Sequence, residues 1–187
     1  MQDFFNRIKQ SKKVNHIVMD RLDPTIESEP LWDNMFKIRF ADEGDLLIIL
    51  SLEDDAYKGY RAWSECDFRN DLNHNPYIVY VIVEDLKNQP VAMISGRFQH
   101  NESHISHVLV REAFQNKGIG SRMLDLWIRL SLIELIPKIQ LEVRESNEVA
   151  KSLYFSRGFN QVALKQGYYS NTNEDALVLR RIERGLL

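Results

Sequence analysis

Two glycines, Gly118 and Gly120, stand between a strand-like apolar run at 104–110 and a segment whose apolar residues have helical spacing. A glycine-rich turn between a strand and a helix can point several main-chain N–H groups into one concave site at the positive end of the helix dipole. Such a site binds phosphate without a cationic side chain, and glycine lets the ligand approach the main chain closely. The pattern predicts a diphosphate-binding turn, with an ordinary helix-entry turn as the alternative.

The same turn excludes two common nucleotide folds. Met123 stands where a G-x-G-x-x-G motif has its third glycine, and the sequence contains no G-x-x-x-x-G-K-[ST]. Neither a dinucleotide-dependent enzyme nor a P-loop NTPase is therefore indicated.

Two histidines, His104 and His107, could act as proton acceptors. They are three residues apart in a predicted strand, so we expect them to point to opposite faces, with at most one facing a substrate. They are a poor metal-binding pair because no third ligand stands nearby at a recognisable spacing. We predict no metal site, and a structural role is favoured for each histidine.

Sequence patterns typical of strands and of helices alternate along the chain. The strands and helices that they predict would position the glycines and histidines. The predicted strands are 35–40, 76–85, 90–99, 104–110, 138–143, 160–166 and 175–182. The predicted helices are about 44–57, a segment from Ile119 that ends before Pro137, and 147–158, where Gly158 stands at the C-cap position. The order is therefore β, α, β, β, β, α, β, α, β, β.

The composition is that of a globular protein, with 44% hydrophobic and 27% charged residues among 187. A single cysteine, Cys66, excludes an internal disulfide, and no apolar run is long enough for a membrane span or a signal core. The net charge of -3 argues against nucleic-acid binding. We expect a cytoplasmic protein with one domain at 35–187. Residues 1–34 are predicted to form an N-terminal extension of unknown role.

Several strings around the glycine turn occur together in one known family. QNKGIG follows HVLV, and LEVRESNEVAKSLYFSRGFNQVALKQGYY precedes EDALVL, with a supporting AWSECDF at 62–68. In this order and spacing they resemble the GNAT superfamily of acyl-CoA-dependent N-acyltransferases. More narrowly, they resemble its bacterial RimI-type enzymes, which acetylate the N-terminal amine of a ribosomal protein. The resemblance covers roughly residues 35–183.

The resemblance implies an α/β protein with the GNAT fold, a mixed and largely antiparallel sheet with helices on both faces. Its strands 4 and 5, which are HISHVLV and KIQLEV in this sequence, would lie parallel but splay apart, and acetyl-CoA would enter the wedge between them. The implied cofactor-binding residues are Val108, Val110, Gln115, Lys117, Gly118, Gly120, Ser121 and Asn147.

Within this set the resemblance implies different contacts. Val108 and Val110 would offer main-chain groups to the pantetheine arm, and residues 115–121 would supply the N–H groups that hold the diphosphate. Lys117 and, outside this set, Arg111 are placed to help neutralise phosphate, with a solvated surface charge as the alternative for each. Asn147 would contact the cofactor, and it can also cap the following helix.

The resemblance also implies two catalytic residues, Glu142 and Tyr154. Tyr154 would face the sulfur of CoA, where a hydrogen bond to the leaving thiolate is a safer expectation than full proton donation. Glu142 is the candidate base, directly or through water, and it alternates with apolar neighbours in its strand, so it need not be buried in the core. His104 and His107 stay open as alternative carriers of the amine proton.

The acceptor would be chosen in loops, by the element around Trp63 and by the loop QGYYSNTNED, which carries Tyr168 and Tyr169. The implied substrate contacts are Trp63, Tyr168 and Tyr169, with His107 on the neighbouring strand; packing within a hairpin is the alternative for the two tyrosines. We predict transfer of an acetyl group to an amine, foremost the N-terminal α-amine of a ribosomal protein. A small amine such as an aminoglycoside or polyamine is the alternative acceptor, and a non-catalytic acyl-CoA-binding module is the alternative function. The sequence leaves monomer and homodimer open.

Overall fold

The computed structural model describes residues 18, 19, 21, 22, 35–57, 63–99 and 101–186. These residues form a seven-stranded sheet in the order β1-β2-β3-β4-β5-β7-β6. The strands are β1 Phe36–Phe40, β2 Ile78–Asp85, β3 Pro90–Gln99, β4 Glu102–Val110, β5 Lys138–Arg144, β6 Asn160–Tyr169 and β7 Glu174–Ile182. Only the β4–β5 pair is parallel among them, so the predicted mixed and largely antiparallel sheet is confirmed.

Four α-helices whose bounds both fall within the described residues accompany the sheet. They are α1 Leu46–Ala56, α2 Glu65–His74, α3 Ile119–Ile133 and α4 Glu148–Ser156. Three were predicted, and α2 was not, because only Phe68 and Leu72 of its ten residues are buried and its apolar periodicity is weak. The sequence does carry a start signal, since Ser64 and Asp67 form a capping box in which each side chain accepts the other's main-chain N–H.

Helices cover both faces of the sheet. Phe98 on β3 packs against Trp127 of α3, with ring centroids 4.8 Å apart. Ser95 is three residues away on the same strand and therefore faces the other side. It bonds His107, which packs against Phe68 of α2. The core thus has two layers, and β2 and β3 are buried between them along most of their length.

The parallel strands β4 and β5 separate partway along their length. Their pairing runs from Glu102 opposite Lys138 to Ile105 opposite Leu141 and goes no further. β4 continues to Val110 and β5 to Arg144, so the two strands leave an open wedge between their carboxyl halves. The predicted splay is confirmed.

Most of the predicted N-terminal extension lies outside the described residues. Four of its members are described, and Val18, Met19 and Leu22 are 1–4% exposed within the hydrophobic core. Arg21 forms an ion pair with Glu134, directly after α3. We propose that these four residues belong to the folded domain rather than to a separate appendage.

Replacing Leu22 by alanine should therefore destabilise the whole protein. Removal of a fully buried leucine side chain costs roughly 2–5 kcal/mol in lost burial and cavity formation. Urea unfolding followed by circular dichroism measures this free energy, and Leu47→Ala is the control because Leu47 is 76% exposed. Equal unfolding free energies for the two variants would contradict the assignment of Leu22 to the core.

No helix in the described part of the chain combines the length and the apolar character that crossing a membrane requires.

Candidate active site

A β-bulge on β4 decides where its two histidines point. Ser95 pairs with His107 and Arg97 pairs with His104, so three steps along β4 match two steps along β3. Paired residues share a face, and residues two apart on β3 also share one, so His104 and His107 lie on the same face. The prediction of opposite faces was wrong because it assumed an unbroken alternation. Gly96 sits at this bulge, where a Cβ would lie 1.9 Å from the His104 carbonyl oxygen.

The carboxylate of Glu142 lies just past the point where β4 and β5 separate. Its Oε2 accepts a hydrogen bond from His104 Nε2 at 2.6 Å, and its Oε1 accepts one from Lys165 Nζ at 2.9 Å. The hydrogen bond from His104 lowers the pKa of Glu142 to about 2, with burial opposing this shift and Lys165 adding to it. Glu142 is therefore an ionised carboxylate at neutral pH. His104 Nδ1 is buried and has no hydrogen-bond partner among the described residues.

His107 does not line the wedge as a substrate contact. Its side chain is buried, its Nδ1 shares a hydrogen bond with Ser95 Oγ at 2.9 Å, and the rings of Trp63 and Phe68 cover it. Burial, with a smaller contribution from His104, lowers the pKa of His107 to about 4. The ring is neutral at pH 7 and belongs to the core. This corrects the expected substrate role and favours the structural alternative.

The glycine turn precedes α3 and leaves the start of that helix without a side-chain cap. Gly118 is the N-cap residue and has a left-handed conformation, with φ of 78°. Ser64 and Asn147 cap α2 and α4 through their side chains, whereas no side-chain cap bond occurs at the start of α3 within the described part of the chain. The N–H groups of residues 119–121 precede the first helical bond, which runs from Arg122 to Gly118. This is the geometry of an anion site at a helix N-terminus.

Gly118 and Gly120 differ in what a side chain at each position would meet. A Cβ on Gly118 would meet nothing within 4 Å, so its positive φ, not crowding, favours glycine. A Cβ on Gly120 would lie 3.6 Å from Leu153 and 4.0 Å from Val110, which are ordinary contacts. The protein itself therefore tolerates a methyl group at Gly120.

Gly118→Ala and Gly120→Ala are accordingly expected to change stability in opposite directions. Alanine in a left-handed conformation costs about 1 kcal/mol, whereas alanine in the first turn of a helix is favoured over glycine by up to about 1 kcal/mol. Unfolding free energies from urea titration measure both effects. Loss of stability in both variants would show that Gly120 is constrained by more than its helical position.

The main chain of β4 faces the wedge at Val108 and Val110. Arg111 N–H donates to the Val91 carbonyl on β3, so by the alternation of an antiparallel ladder residues 108 and 110 point their polar groups the other way. The Val110 carbonyl accepts a bond from Gln115 Nε2 at 3.1 Å. The wedge thus presents a row of strand hydrogen-bonding groups on its β4 side.

The expected phosphate-neutralising side chains differ in their placement. Arg111 points away from the turn, with its guanidinium bonded to Pro90 O, to Asp55 at 3.0 Å and to Ser51 at 2.9 Å. It therefore fastens β4 to α1, and the expected phosphate contact is not supported. Lys117 stays in the turn, 4.8 Å above the Phe114 ring, and Ser121 lies in the first turn of α3.

Asn147 and Tyr154 mark the two ends of α4. Asn147 Oδ1 accepts the Ala150 N–H at 3.0 Å, which confirms the capping role. Tyr154 is 7% exposed and packs against Phe159. Burial, and secondarily its neighbours Tyr57 and Tyr169, raise the pKa of the Tyr154 phenol well above its usual value. The group is therefore a protonated donor at any physiological pH.

Aromatic residues surround this phenol, and the sequence singled out only some of them. Tyr168 and Tyr169 end β6 instead of lying in a loop, and their rings meet edge to face at 5.1 Å. Burial, with Tyr57 as the next contribution, raises the pKa of Tyr169 to about 12. Tyr57, directly after α1, was missed, because no motif distinguishes it. Trp63 packs over His107 at 4.8 Å and is partly exposed.

Arg144 organises the segment that follows Tyr169, and the sequence analysis did not identify it. Its guanidinium lies 3.9 Å from the Tyr169 ring centroid and bonds Glu174 at 2.9 Å and Thr172 at 2.8 Å. Glu174 also accepts the Ser146 N–H, which ties this segment to the start of α4. The sequence did contain one signal for Arg144. Side chains alternate between the two faces along β5, which places Arg144 on the same face as Glu142. No cluster of potential metal ligands occurs in the described residues.

Comparison with known proteins agrees with this geometry. Residues 37–159 match the acetyltransferase (GNAT) family. A Mycobacterium tuberculosis protein named N-alpha-acetyltransferase RimI is 30% identical over 132 residues, 70% of this chain and 82% of that protein. An Escherichia coli protein named ribosomal protein bS18-alanine N-acetyltransferase is 28% identical over 119 residues, 63% of this chain and 78% of that protein. The crystal structure of the Escherichia coli ribosomal-protein-S18-alanine N-acetyltransferase superposes with a TM-score of 0.72 at 24% identity, covering 79% of this chain and 94% of that one.

The wedge between β4 and β5 and the glycine turn before α3 agree with the family match, which identifies the protein as an N-acetyltransferase. The chain belongs to the acetyltransferase (GNAT) family, whose members use acetyl-CoA as acetyl donor. The fold, the family and the enzyme class predicted from the sequence are thus confirmed, and the relatives of the chain include a protein named RimI.

Proposed function

We propose that the protein transfers the acetyl group of acetyl-CoA to the N-terminal α-amine of a protein, foremost a ribosomal protein, in the cytoplasm. The observation that carries the proposal is the placement of Glu142, an ionised carboxylate at the fork between β4 and β5. The names of the Mycobacterium tuberculosis and Escherichia coli relatives support the acceptor class, since they specify an N-alpha amine and an alanine of bS18.

Acetyl-CoA would be held largely by main-chain groups. The exposed polar groups of Val108 and Val110 suit the amides of a pantetheine arm, and the uncapped amides that follow Gly118 suit a diphosphate. The proposed turn also contains Gln115, Lys117, Gly120 and Ser121. Asn147 lies at the start of α4, which follows β5, the second strand of the wedge. The cosubstrate supplies a thioester, whose acyl carbon is the electrophile.

Glu142 would receive and orient the acceptor amine. Its low pKa makes it a poor acceptor for a proton from a free ammonium ion, because an α-ammonium group has a pKa near 8. The negative charge of Glu142 would instead stabilise the amine nitrogen, because that nitrogen becomes positive as it attacks the thioester. The proton released by the attacking nitrogen can then pass to Glu142, directly or through water, while the hydrogen bond from His104 Nε2 at 2.6 Å holds the carboxylate.

Tyr154 would stabilise the leaving sulfur. A buried phenol with a raised pKa stays protonated and can donate a hydrogen bond to a thiolate. Full proton transfer is uphill, because even an unperturbed phenol has a pKa near 10 and a thiol has one near 8.5. The proposed role is therefore donation without loss of the proton. Trp63, Tyr168 and Tyr169 would contact the acceptor chain near this group.

The proposal predicts how activity depends on pH. Glu142 is ionised from about pH 2 upward, so its titration does not limit the reaction between pH 5 and 9. The neutral fraction of the acceptor does limit it, so kcat/KM should rise about tenfold per pH unit and level off near pH 8 for an α-amine. Initial rates with one peptide across this range measure the profile. A plateau already at pH 6 would contradict the assignment.

Labelled acetyl-CoA and a panel of acceptors test the proposed function. The panel contains peptides with free N-termini, including alanine, N-terminally blocked peptides with one lysine, and spermidine. We expect label on the α-amine of a free peptide, located by tandem mass spectrometry. Label confined to spermidine would replace the protein acceptor by a small amine. Binding of CoA with no labelled product from any acceptor would also contradict the proposal.

A further inference from the structure

Lys165 occupies the open side of the Glu142 carboxylate. Its Nζ lies 2.9 Å from Oε1, while His104 holds Oε2 from the other side. The Lys165 side chain is 46% exposed and that of Glu142 is 8% exposed, so the lysine stands between the carboxylate and solvent. Nζ also lies 5.0 Å from the centroid of the Tyr168 ring, in the expected acceptor wall.

The ammonium group of Lys165 stays charged beside the Glu142 carboxylate. The hydrogen bond from Lys165 to Glu142 raises the pKa of the lysine, so its ammonium persists at neutral pH. Arg144, the next outward-facing residue of β5, is turned toward Tyr169 and Glu174. An approaching ammonium ion therefore meets a fixed like charge at the oxygen it would bind. A neutral amine meets no such repulsion.

We propose that Lys165 is a specificity-determining residue that makes the enzyme select acceptors which are available as neutral amines. The inference rests on the proposed function and names the property by which the site chooses its substrate class. An α-amine is roughly one-tenth neutral at pH 7, whereas a lysine side chain is neutral in well under a thousandth of molecules. Polyamines carry several such ammonium groups. A site that repels ammonium ions therefore favours a protein N-terminus over both.

The test compares acceptor selection in wild type and in the variants Lys165→Met and Lys165→Arg. The measured quantity is kcat/KM at pH 7.5 for a free-N-terminus peptide, divided by kcat/KM for a blocked peptide with one lysine and, separately, for spermidine. We expect Lys165→Met to lower both ratios about fivefold, because removing a partly exposed like charge changes electrostatic discrimination by this order. Lys165→Arg keeps the charge and should keep the ratios close to wild type.

Lys37→Met is the matched control, because Lys37 lies on β1 at the opposite edge of the sheet and is exposed. Its ratios should equal those of wild type. Thermal melting and CoA titration establish that each variant is folded and binds the cosubstrate.

The possible results distinguish failure of the Lys165 role from failure of the proposed function. If wild type acetylates α-amines and Lys165→Met does so with unchanged ratios, the selection role is overturned and the proposed function stands. If folded Lys165→Met loses activity equally on all acceptors, Lys165 serves the transfer step and not selection, which also overturns the inference. If wild type never acetylates an α-amine, the proposed function itself fails.

Discussion

Glu142→Gln is expected to lower kcat/KM for a peptide α-amine by roughly a hundred- to a thousandfold, the range typical of removing a group that handles the substrate proton. Glutamine keeps the size of the side chain and can still accept a hydrogen bond from His104. It loses the negative charge that favours a nitrogen becoming positive during attack. It also loses the ion pair with Lys165 that positions the carboxylate at 2.9 Å.

The measurement is steady-state kinetics with saturating acetyl-CoA, combined with calorimetric titration of CoA. The affinity for CoA should stay close to wild type, because the proposed diphosphate-binding turn lies at the start of α3 and not on β5. Glu145→Gln is the control, since Glu145 is exposed just beyond β5. Wild-type activity in a folded Glu142→Gln variant would remove Glu142 from the mechanism.

The second large effect is expected for Tyr154→Phe, which should lower kcat by about a hundredfold with little change in KM for the peptide. Donation to the leaving sulfur is needed in the transition state and not in the bound ground state, so its loss appears in kcat. The phenol is buried, and its raised pKa keeps the proton on oxygen throughout the working pH range.

If Tyr154 has only a structural role, the Tyr154→Phe variant should stay folded and keep its kcat. The ring packs against Phe159 with centroids 5.8 Å apart, and phenylalanine preserves that contact, so removal of the hydroxyl should change the free energy of unfolding by no more than about 1 kcal/mol. Tyr77→Phe, at an exposed position before β2, controls for loss of a hydroxyl. Full activity in folded Tyr154→Phe would leave this residue as a core aromatic.

The strands and three of the four helices could be predicted because their signals are local. Alternation in β5 and helical spacing after Gly118 depend only on neighbours in the sequence, and both agree with the structure. The left-handed Gly158, with φ of 77°, ends the α4 region as the C-cap pattern predicted. α2 was not predicted, because a mostly polar helix shows little periodicity and a capping box alone is a short signal.

Two side-chain placements around the candidate site could not be predicted, because both depend on contacts between segments that are far apart in the sequence. His104 and His107 were assigned to opposite faces from spacing alone, but the bulge opposite Ser95 is a property of strand pairing and reverses the alternation. Gly96 inside a strand pattern was the signal available for such a bulge. Arg111 was expected near phosphate, whereas Asp55 and Ser51 of a helix distant in sequence hold it.

The sequence by itself determined the order of elements, the glycine turn, the resemblance to an acetyltransferase family and the identity of Glu142 and Tyr154 as candidates. Only the tertiary structure decided what surrounds them. Glu142, His104 and Lys165 come from β5, β4 and β6, and their contacts at 2.6 and 2.9 Å depend on the register of strands far apart in the chain. Local periodicity determines which face a side chain takes within its own strand. Which charges meet across the sheet depends on non-local pairing, because hydrogen bonds between strands and the burial of the core fix the register together.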